Sequence, residues 1–203
     1  MIIEREILEV FPIPLADMLV TDKELLQGLE EEVYAEMERD PEGALLSNRG
    51  GWQSARHSNV GPLTQSLKDV LLPHVKQYYR ECFRSKSTDV LKITGMWANV
   101  NPKNTYNTEH VHPGAQVSGV LYVKVPENPS HINFFNPNKS LKMAQSEDFE
   151  EINRYNSESY FLEPTVGRLL LFPSWLAHSV DISTSEGERI SIAFNASYFA
   201  RKV

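Results

Sequence analysis

Two histidines, His110 and His112, stand one residue apart in Asn107-Thr-Glu-His-Val-His-Pro-Gly114. On an extended strand residues i and i+2 project from one face, so both imidazoles can reach one metal ion from the same side. A third histidine, His178, ends the run Leu171-Phe-Pro-Ser-Trp-Leu-Ala-His178, and Arg189 opens Arg189-Ile-Ser-Ile-Ala-Phe-Asn195. Neutral imidazole is the commonest metal ligand near neutral pH. Three of them cover one side of an ion and leave the other open, which suits a redox or hydrolytic metal better than a closed structural zinc site. A His-x-His pair alone reads as readily as two packed rings; the later histidine and the arginine are what favour a metal. A guanidinium can clamp a carboxylate through two parallel hydrogen bonds. Arg189 could instead answer Glu186 or Glu188 at the surface, but Ile190 and Ile192 mark its strand as half buried.

These groups need a scaffold that brings distant strands together. From Leu91 onward the apolar period is two, and about seven or eight short strands are predicted: 91–101, the histidine strand, 116–126, 131–135, 160–164, 168–172, 175–182 and 190–199. Val117, Gly119, Leu121 and Val123 share one face of their strand, and Ser118, Val120, Tyr122 and Lys124 the other. The strands at 160–164 and 168–172 are joined by a turn at Thr165-Val-Gly167. A hairpin through Ser183-Thr-Ser-Glu-Gly187 would set Arg189 beside the His178 strand. An antiparallel jelly roll is the expected solution.

Before the strands come two helices. Thr21-Asp-Lys-Glu24 is a capping-box pattern ahead of Leu25, Leu26, Leu29, Val33 and Met37, with Asp40-Pro41 as the stop. Pro62 starts a second helix whose buried stripe reads Leu63, Leu67, Val70, Leu71, Val75 and Tyr79. Residues 2–13 suggest an outer strand ending at Pro12-Ile-Pro14. Glu30-Glu-Glu32 reads as a solvated helix face and Cys82 as a buried structural thiol. His57 reads as a packing or surface histidine, His74, within the second helix, as a non-ligand, and Trp52 as a structural plug after the Gly50-Gly51 turn. Residues 136–158 are the longest insertion, with a short helix expected over 146–155; a lid, an oligomer contact and simple decoration all remain open. The layout is α+β, mainly β: one domain over 1–203, with helical support over 15–86 and a β core over 91–199.

The chain has 203 residues, enough for one sizeable core. A net charge of -7 argues against a nucleic-acid partner. One cysteine permits no internal disulfide and fits a cytoplasmic setting. No apolar run is long enough for a membrane span, and the acidic start does not read as a signal peptide. The oligomeric state stays open, a homodimer included.

Taken together, Asn107-x-x-His110-x-His112-Pro with Ser118-Gly-Val-x-Tyr122, Phe172-Pro-Ser-Trp-x-x-His178 and Arg189-Ile-Ser-Ile-x-Phe-Asn195 resemble the 2-oxoglutarate- and iron(II)-dependent oxygenase family of bacteria and phages, relatives of the prolyl-hydroxylase-like enzymes. The resemblance covers residues 91–199 and extends to Phe11-Pro-Ile-Pro and Gly50-Gly-Trp-Gln-Ser. It implies a double-stranded β-helix and a dioxygenase that uses Fe(II), O2 and 2-oxoglutarate. The reaction would hydroxylate a C–H bond of an unidentified peptide or small molecule, releasing succinate and CO2. It also implies that His110 and His178 are metal ligands and that Arg189 binds the remote carboxylate of 2-oxoglutarate. Tyr122 and Ser191 would assist there and Val120 would line the pocket, with Trp97, Asn99, Asn101, Trp175 and Asn195 as further lining candidates.

At residue 112 the pattern departs. Most relatives carry an aspartate or glutamate there, and here it is His112. Glu109, Val111 and Asp181 fall on the wrong strand faces to substitute. A three-histidine site follows, one charge more positive than the usual triad. A second registration, resembling halogenases that leave one metal position vacant, keeps His112 and His178. A cupin-like three-histidine protein, either thiol-dioxygenase-like or purely ligand-binding, is the main alternative. A catalytically silent jelly roll is the third.

Overall fold

The computed structural model describes residues 5–55, 60–86, 88–144 and 149–198. The elements are β1 (Ala16–Leu19), α1 (Lys23–Arg39), β2 (Asn48–Arg49), β3 (Trp52–Gln53), α2 (Pro62–Phe83), β4 (Leu91–Asn101), β5 (Tyr106–His110) and β6 (Val117–Lys124). They continue with β7 (Ile132–Phe135), α3 (Leu141–Ala144), β8 (Ser159–Leu162), β9 (Arg168–Pro173), β10 (His178–Val180) and β11 (Arg189–Tyr198). The strands form two antiparallel sheets: a major one ordered β1-β9-β6-β11-β4-β3 and a minor one ordered β2-β5-β10-β7-β8. This is the double-stranded β-helix expected from the alternating pattern, with two helices added. Among the described residues no helix is long and apolar enough to cross a membrane.

The major sheet is buried on both faces because each does a different job. Leu26, Leu29, Val33, Leu67, Leu71 and Val75 of the helices pack on its outer face, against Met96, Ala98, Val100, Leu121, Ile190 and Ile192. Its inner face meets the minor sheet, where Val120, Tyr122, Leu170 and Phe172 join Ile132 and Phe134. The alternation of β11 sorts its residues: Ile190 and Ile192 go to the helix side, Arg189, Ser191 and Ala193 line the interior, and Phe194 packs in the helix-side core while also bordering the cavity. Gly119 sits opposite Phe194, where a Cβ would come within 2.3 Å of the ring.

Several expectations change. Residues 5–14 form no strand, and Ile7, Leu8, Val10 and Phe11 are exposed. Pro12 and Pro14 lack the N–H that pairing needs, and the edge beside β9 is taken by Ala16–Leu19. The α1 cap is Asp22, whose Oδ1 accepts from the Leu25 N–H, rather than Thr21. On α2 the buried face is Thr64, Leu67, Leu71, Val75 and Tyr78; Leu63 and Val70 are exposed. Cys82 is exposed, on the outward side of that helix. His74 is exposed on α2, and His57 lies outside the described residues. The helix in the long insertion is Leu141–Ala144, and the described part of 146–155 is not helical. The final strand before the arginine shrinks to three residues, leaving Trp175 outside it and exposed.

The connection read as a hairpin before Arg189, and the one read as a turn at Thr165-Val-Gly167, are both corners between sheets. β8 and β9 belong to different sheets, and so do β10 and β11. The chain crosses between layers at 163–167 and 181–188, so Arg189 reaches the site across the interior rather than from a neighbouring strand. Local turn signals report only that the chain reverses, not which sheet it enters.

The acidic run on α1 is more than a solvated face. Glu32 accepts the Leu63 and Thr64 N–H groups at 2.7 and 2.9 Å and the Thr64 hydroxyl at 2.9 Å. It thereby caps α2, whose own N-cap residue, Gly61, has no side chain to do so. Glu32→Ala is expected to lower stability by about 2 kcal/mol, read by urea denaturation; Glu31→Ala, on an exposed neighbour, should change it little.

Candidate metal and co-substrate site

β5 and β10 run side by side with His110 opposite His178. The strand ends at His110, so His112 is not held by a ladder. Its backbone N–H instead donates to the Ser174 carbonyl at 2.9 Å, in the turn that the Phe-Pro-Ser sequence builds. One ligand atom from each of His110, His112 and His178 lies within 4.8 Å of the others. The ring centroids are 4.3 Å apart for His110 and His178, and 5.1 Å apart for each other pair. Trp97 stacks on His112 and the Phe172 edge meets His178. The arrangement brings all three predicted histidines together.

The Nδ1 atoms of His110 and His178 lie 2.7 and 2.9 Å from the carbonyls of Thr108 and Leu176. A carbonyl can only accept, so both rings carry Nδ1–H and present a bare Nε2 to the centre. Burial lowers the pKa of His178 to about 4, helped by the neighbouring His110; burial also lowers that of His110. Neutral, oriented imidazoles are what a metal requires, so the donor set fits a divalent ion.

The same shift makes a stability prediction. Between an unfolded pKa near 6.5 and a folded one near 4, the unfolded chain takes up the proton first and the folded His178 does not. Stability of the metal-free protein should therefore fall as pH drops from about 7 to 4, by about 3 kcal/mol from this residue. Thermal denaturation across that range, with chelator present, checks it.

Arg189 is 4% exposed. Its Nη2 donates to Asn101 Oδ1 at 3.0 Å and its Nη1 reaches the Ser130 carbonyl and hydroxyl at 3.4 and 3.3 Å, while Nε has no partner. Among the described residues no carboxylate pairs with it. Glu186 goes to Lys103, and Glu188 to Lys124 and Tyr34. Burial lowers its pKa, yet guanidinium stays charged. A buried cation without a counter-ion is costly, and its orphaned donor suits an incoming carboxylate.

A cavity of about 470 Å³ contains both groups. Val120, Tyr122, Asn99, Asn101, Trp97 and Ser191 line it as expected, and among the described residues Arg189 is the only Lys, Arg, Asp or Glu that does. Tyr122, Ser191, Asn99 and Gln53 lie in register across β6, β11, β4 and β3, one rung of polar groups beside the Arg189–Asn101 pair. Trp175 is not part of the lining, and Asn195 packs behind His112 instead of facing the cavity. Sequence reading missed Gln53, Leu45, Leu46 and Ser130. All four sit on loops or two-residue strands, and no periodic pattern marks them.

A jelly roll with three facing imidazoles and an opposed buried arginine defines a non-haem metal oxygenase. Residues 95–195 match the family model described as "Putative 2OG-Fe(II) oxygenase", and the chain belongs to that family, with Fe(II) as metal and 2-oxoglutarate and O2 as co-substrates. Comparison with curated protein sequences gives no match. Among solved structures, a Pseudomonas putida prolyl-4-hydroxylase superposes with a TM-score of 0.65 at 14% identity, covering 93% of this chain and 94% of that one. A viral collagen prolyl hydroxylase from Paramecium Bursaria Chlorella virus-1, in its 2OG complex, gives 0.59 at 12% identity over 90% and 94%. HygX from Streptomyces hygroscopicus, with nickel and 2-oxoglutarate bound, gives 0.60 at 14% identity over 91% and 83%. At these identities the likeness is one of fold.

Proposed function

We propose that this chain, as a single cytoplasmic domain, hydroxylates an unactivated C–H bond, converting R–H, O2 and 2-oxoglutarate into R–OH, succinate and CO2. His110, His112 and His178 hold the iron through their Nε2 atoms, and Arg189, with Tyr122 and Ser191, receives the far carboxylate of 2-oxoglutarate. Iron(II) supplies O2 activation coupled to oxidative decarboxylation. The protein supplies the rest. Arg189 fixes the co-substrate's far end, and Asn101 and Ser130 hold the guanidinium flat for it. Val120, Phe172 and Trp97 keep water from the reacting end.

The observation that carries this reading is the buried Arg189, with no carboxylate of its own, sharing one cavity with three neutral imidazoles. The test is succinate release from the protein given Fe(II), ascorbate and 2-oxoglutarate. Slow release without added substrate, abolished by chelator, supports the proposal. O2 consumption that ignores 2-oxoglutarate would point to the three-histidine thiol-dioxygenase chemistry instead.

A further inference from the structure

Buried polar side chains are nearly always hydrogen-bonded, and most amides around this cavity obey that rule. Asn101 bonds Asn48, Thr105 and Arg189 at 3.0–3.3 Å, Asn107 donates to Ser47 Oγ at 3.2 Å, and Asn195 engages Ser118 and His112. Asn99 and Gln53 do not. Asn99 is 7% exposed, and its Oδ1 is buried without a partner. Gln53 is 2% exposed, and among the described residues nothing hydrogen-bonds its side-chain amide. The two are Cα partners across β3 and β4, and both line the cavity. Their backbone is nevertheless held firmly. The Gln53 carbonyl accepts from the Ala44 N–H at 2.8 Å, the Ser54 N–H donates to the Ala98 carbonyl at 2.9 Å, and the Trp52 indole N–H donates to the Asp40 carbonyl at 2.7 Å. A fixed frame thus carries two idle amides side by side.

Their place sets them apart from the groups assigned to the co-substrate. Tyr122 and Ser191 stand on β6 and β11. Asn99 is one strand further across the sheet and Gln53 two, which puts Gln53 about 10 Å from β11. Two residues back along β4, Trp97 stacks on His112, so the pair adjoins the histidine cluster from the β3–β4 side. The loop that bonds Gln53 continues into Leu45 and Leu46, which line the same cavity and are 81% and 54% exposed. They form a rim, and the amides lie inside it. We propose that Gln53 and Asn99 are the substrate-reading pair, and that they take a neutral amide, a carbonyl beside an N–H, presented next to the C–H bond to be attacked; this rests on the oxygenase reading of the cavity given above. The incoming N–H donates to Asn99 Oδ1, and the incoming carbonyl accepts from the Gln53 amide. A carboxylate offers no hydrogen to Asn99 Oδ1. An ammonium would bury a charge that, among the described residues, no Asp or Glu of the lining answers. An amide holds its donor and acceptor on separate atoms, one for each side chain, and carries no charge. A trans peptide bond and a cis lactam share this chemistry, and Leu45 and Leu46 would cover the apolar flank of either.

Side-chain ¹⁵N–¹H spectra read the pair directly and need no turnover, so failure here is distinct from failure of the oxygenase reading, which succinate release tests. Two amides are titrated into protein loaded with Zn(II) and 2-oxoglutarate, each beside the ester that replaces its N–H by oxygen. N-methylisobutyramide with methyl isobutyrate stands for the peptide bond, and 2-piperidone with δ-valerolactone for the lactam. At least one amide should shift the Gln53 and Asn99 signals, and the tighter of the two names the source. Its ester should bind about tenfold more weakly, because Asn99 Oδ1 stays unpaired. Asn99→Leu should lose that discrimination and, relieved of an unsatisfied buried acceptor, melt about 2–4 °C higher without ligand. Gln53→Leu should weaken amide and ester alike, since both present a carbonyl. Equal binding of amide and ester, or no shift of either signal by either amide, would overturn the proposal. So would signals that 2-oxoglutarate moves and the amides do not, which would place the pair in the co-substrate site. An Asn99→Leu variant that melts far lower would overturn it too, by making that amide a structural one.

Discussion

Arg189→Met should weaken 2-oxoglutarate binding to the metal-loaded protein by 100-fold or more while leaving metal affinity nearly unchanged. The guanidinium offers an unpartnered Nε and two anchored terminal nitrogens in a cavity where, among the described lining residues, no other Lys, Arg, Asp or Glu stands. Charge-assisted hydrogen bonds in such a place are each worth about 1.5–3 kcal/mol, so losing a bidentate pair removes about 3 kcal/mol, which is on the order of 100-fold. The stability readout should move the other way. Without its anion the arginine is a buried, uncompensated cation, and methionine of similar length relieves that cost. The variant is therefore expected to melt no lower than the parent when 2-oxoglutarate is absent. Calorimetric titration in an anaerobic, Mn(II)-loaded sample gives the first quantity and thermal denaturation the second. A variant that melts far lower and still binds 2-oxoglutarate would mean the guanidinium is a structural strut.

His178→Ala should cost about a thousandfold or more in metal affinity, beyond the 10- to 100-fold typical of groups that only orient a ligand. Two neighbours lose their geometry along with it, since His178 lies opposite His110 in the ladder and against His112 through Nε2. The deleted ring also leaves a cavity between Phe134 and Phe172, which lowers stability by about 2 kcal/mol at neutral pH. In the same variant the part of the acid sensitivity that comes from His178 should vanish, leaving the share that the buried His110 contributes. A steep loss of stability between pH 7 and 4 that survives in His178→Ala would assign it to other groups.

The histidines, the arginine and the strands that carry them were legible because each signal is local. His-x-His declares a shared side, and the alternation in Ser118-Gly-Val-Leu-Tyr122 and Arg189-Ile-Ser-Ile declares which residues face inward. Ser191 and Tyr122 were readable for that reason, and they prove to be directly opposite each other. What failed is what depends on the partner. The turn after Val180 gives no hint that β11 leaves the sheet of β10, because the same residues build a hairpin or a corner. Glu32 looks like any exposed helix glutamate until α2 arrives with an uncapped end. Trp175 reads as strand by its flanks, yet a strand of three residues suffices to place His178. Gln53 joins the polar rung only because a two-residue strand pairs with the edge of β4. The place of Asn195 behind His112 was invisible because its partner Ser118 comes from another strand, β6, and Ser174, which bonds Ser118, from the turn after β9.

The most direct measurement is diffraction from crystals grown without oxygen in Mn(II) and 2-oxoglutarate, with anomalous data to locate the ion. The account predicts one ion about 2.2 Å from the Nε2 atoms of His110, His112 and His178, and a diacid whose far carboxylate lies within hydrogen-bond distance of Arg189. An ion bound elsewhere, or a diacid that leaves the buried guanidinium unpaired, would contradict it.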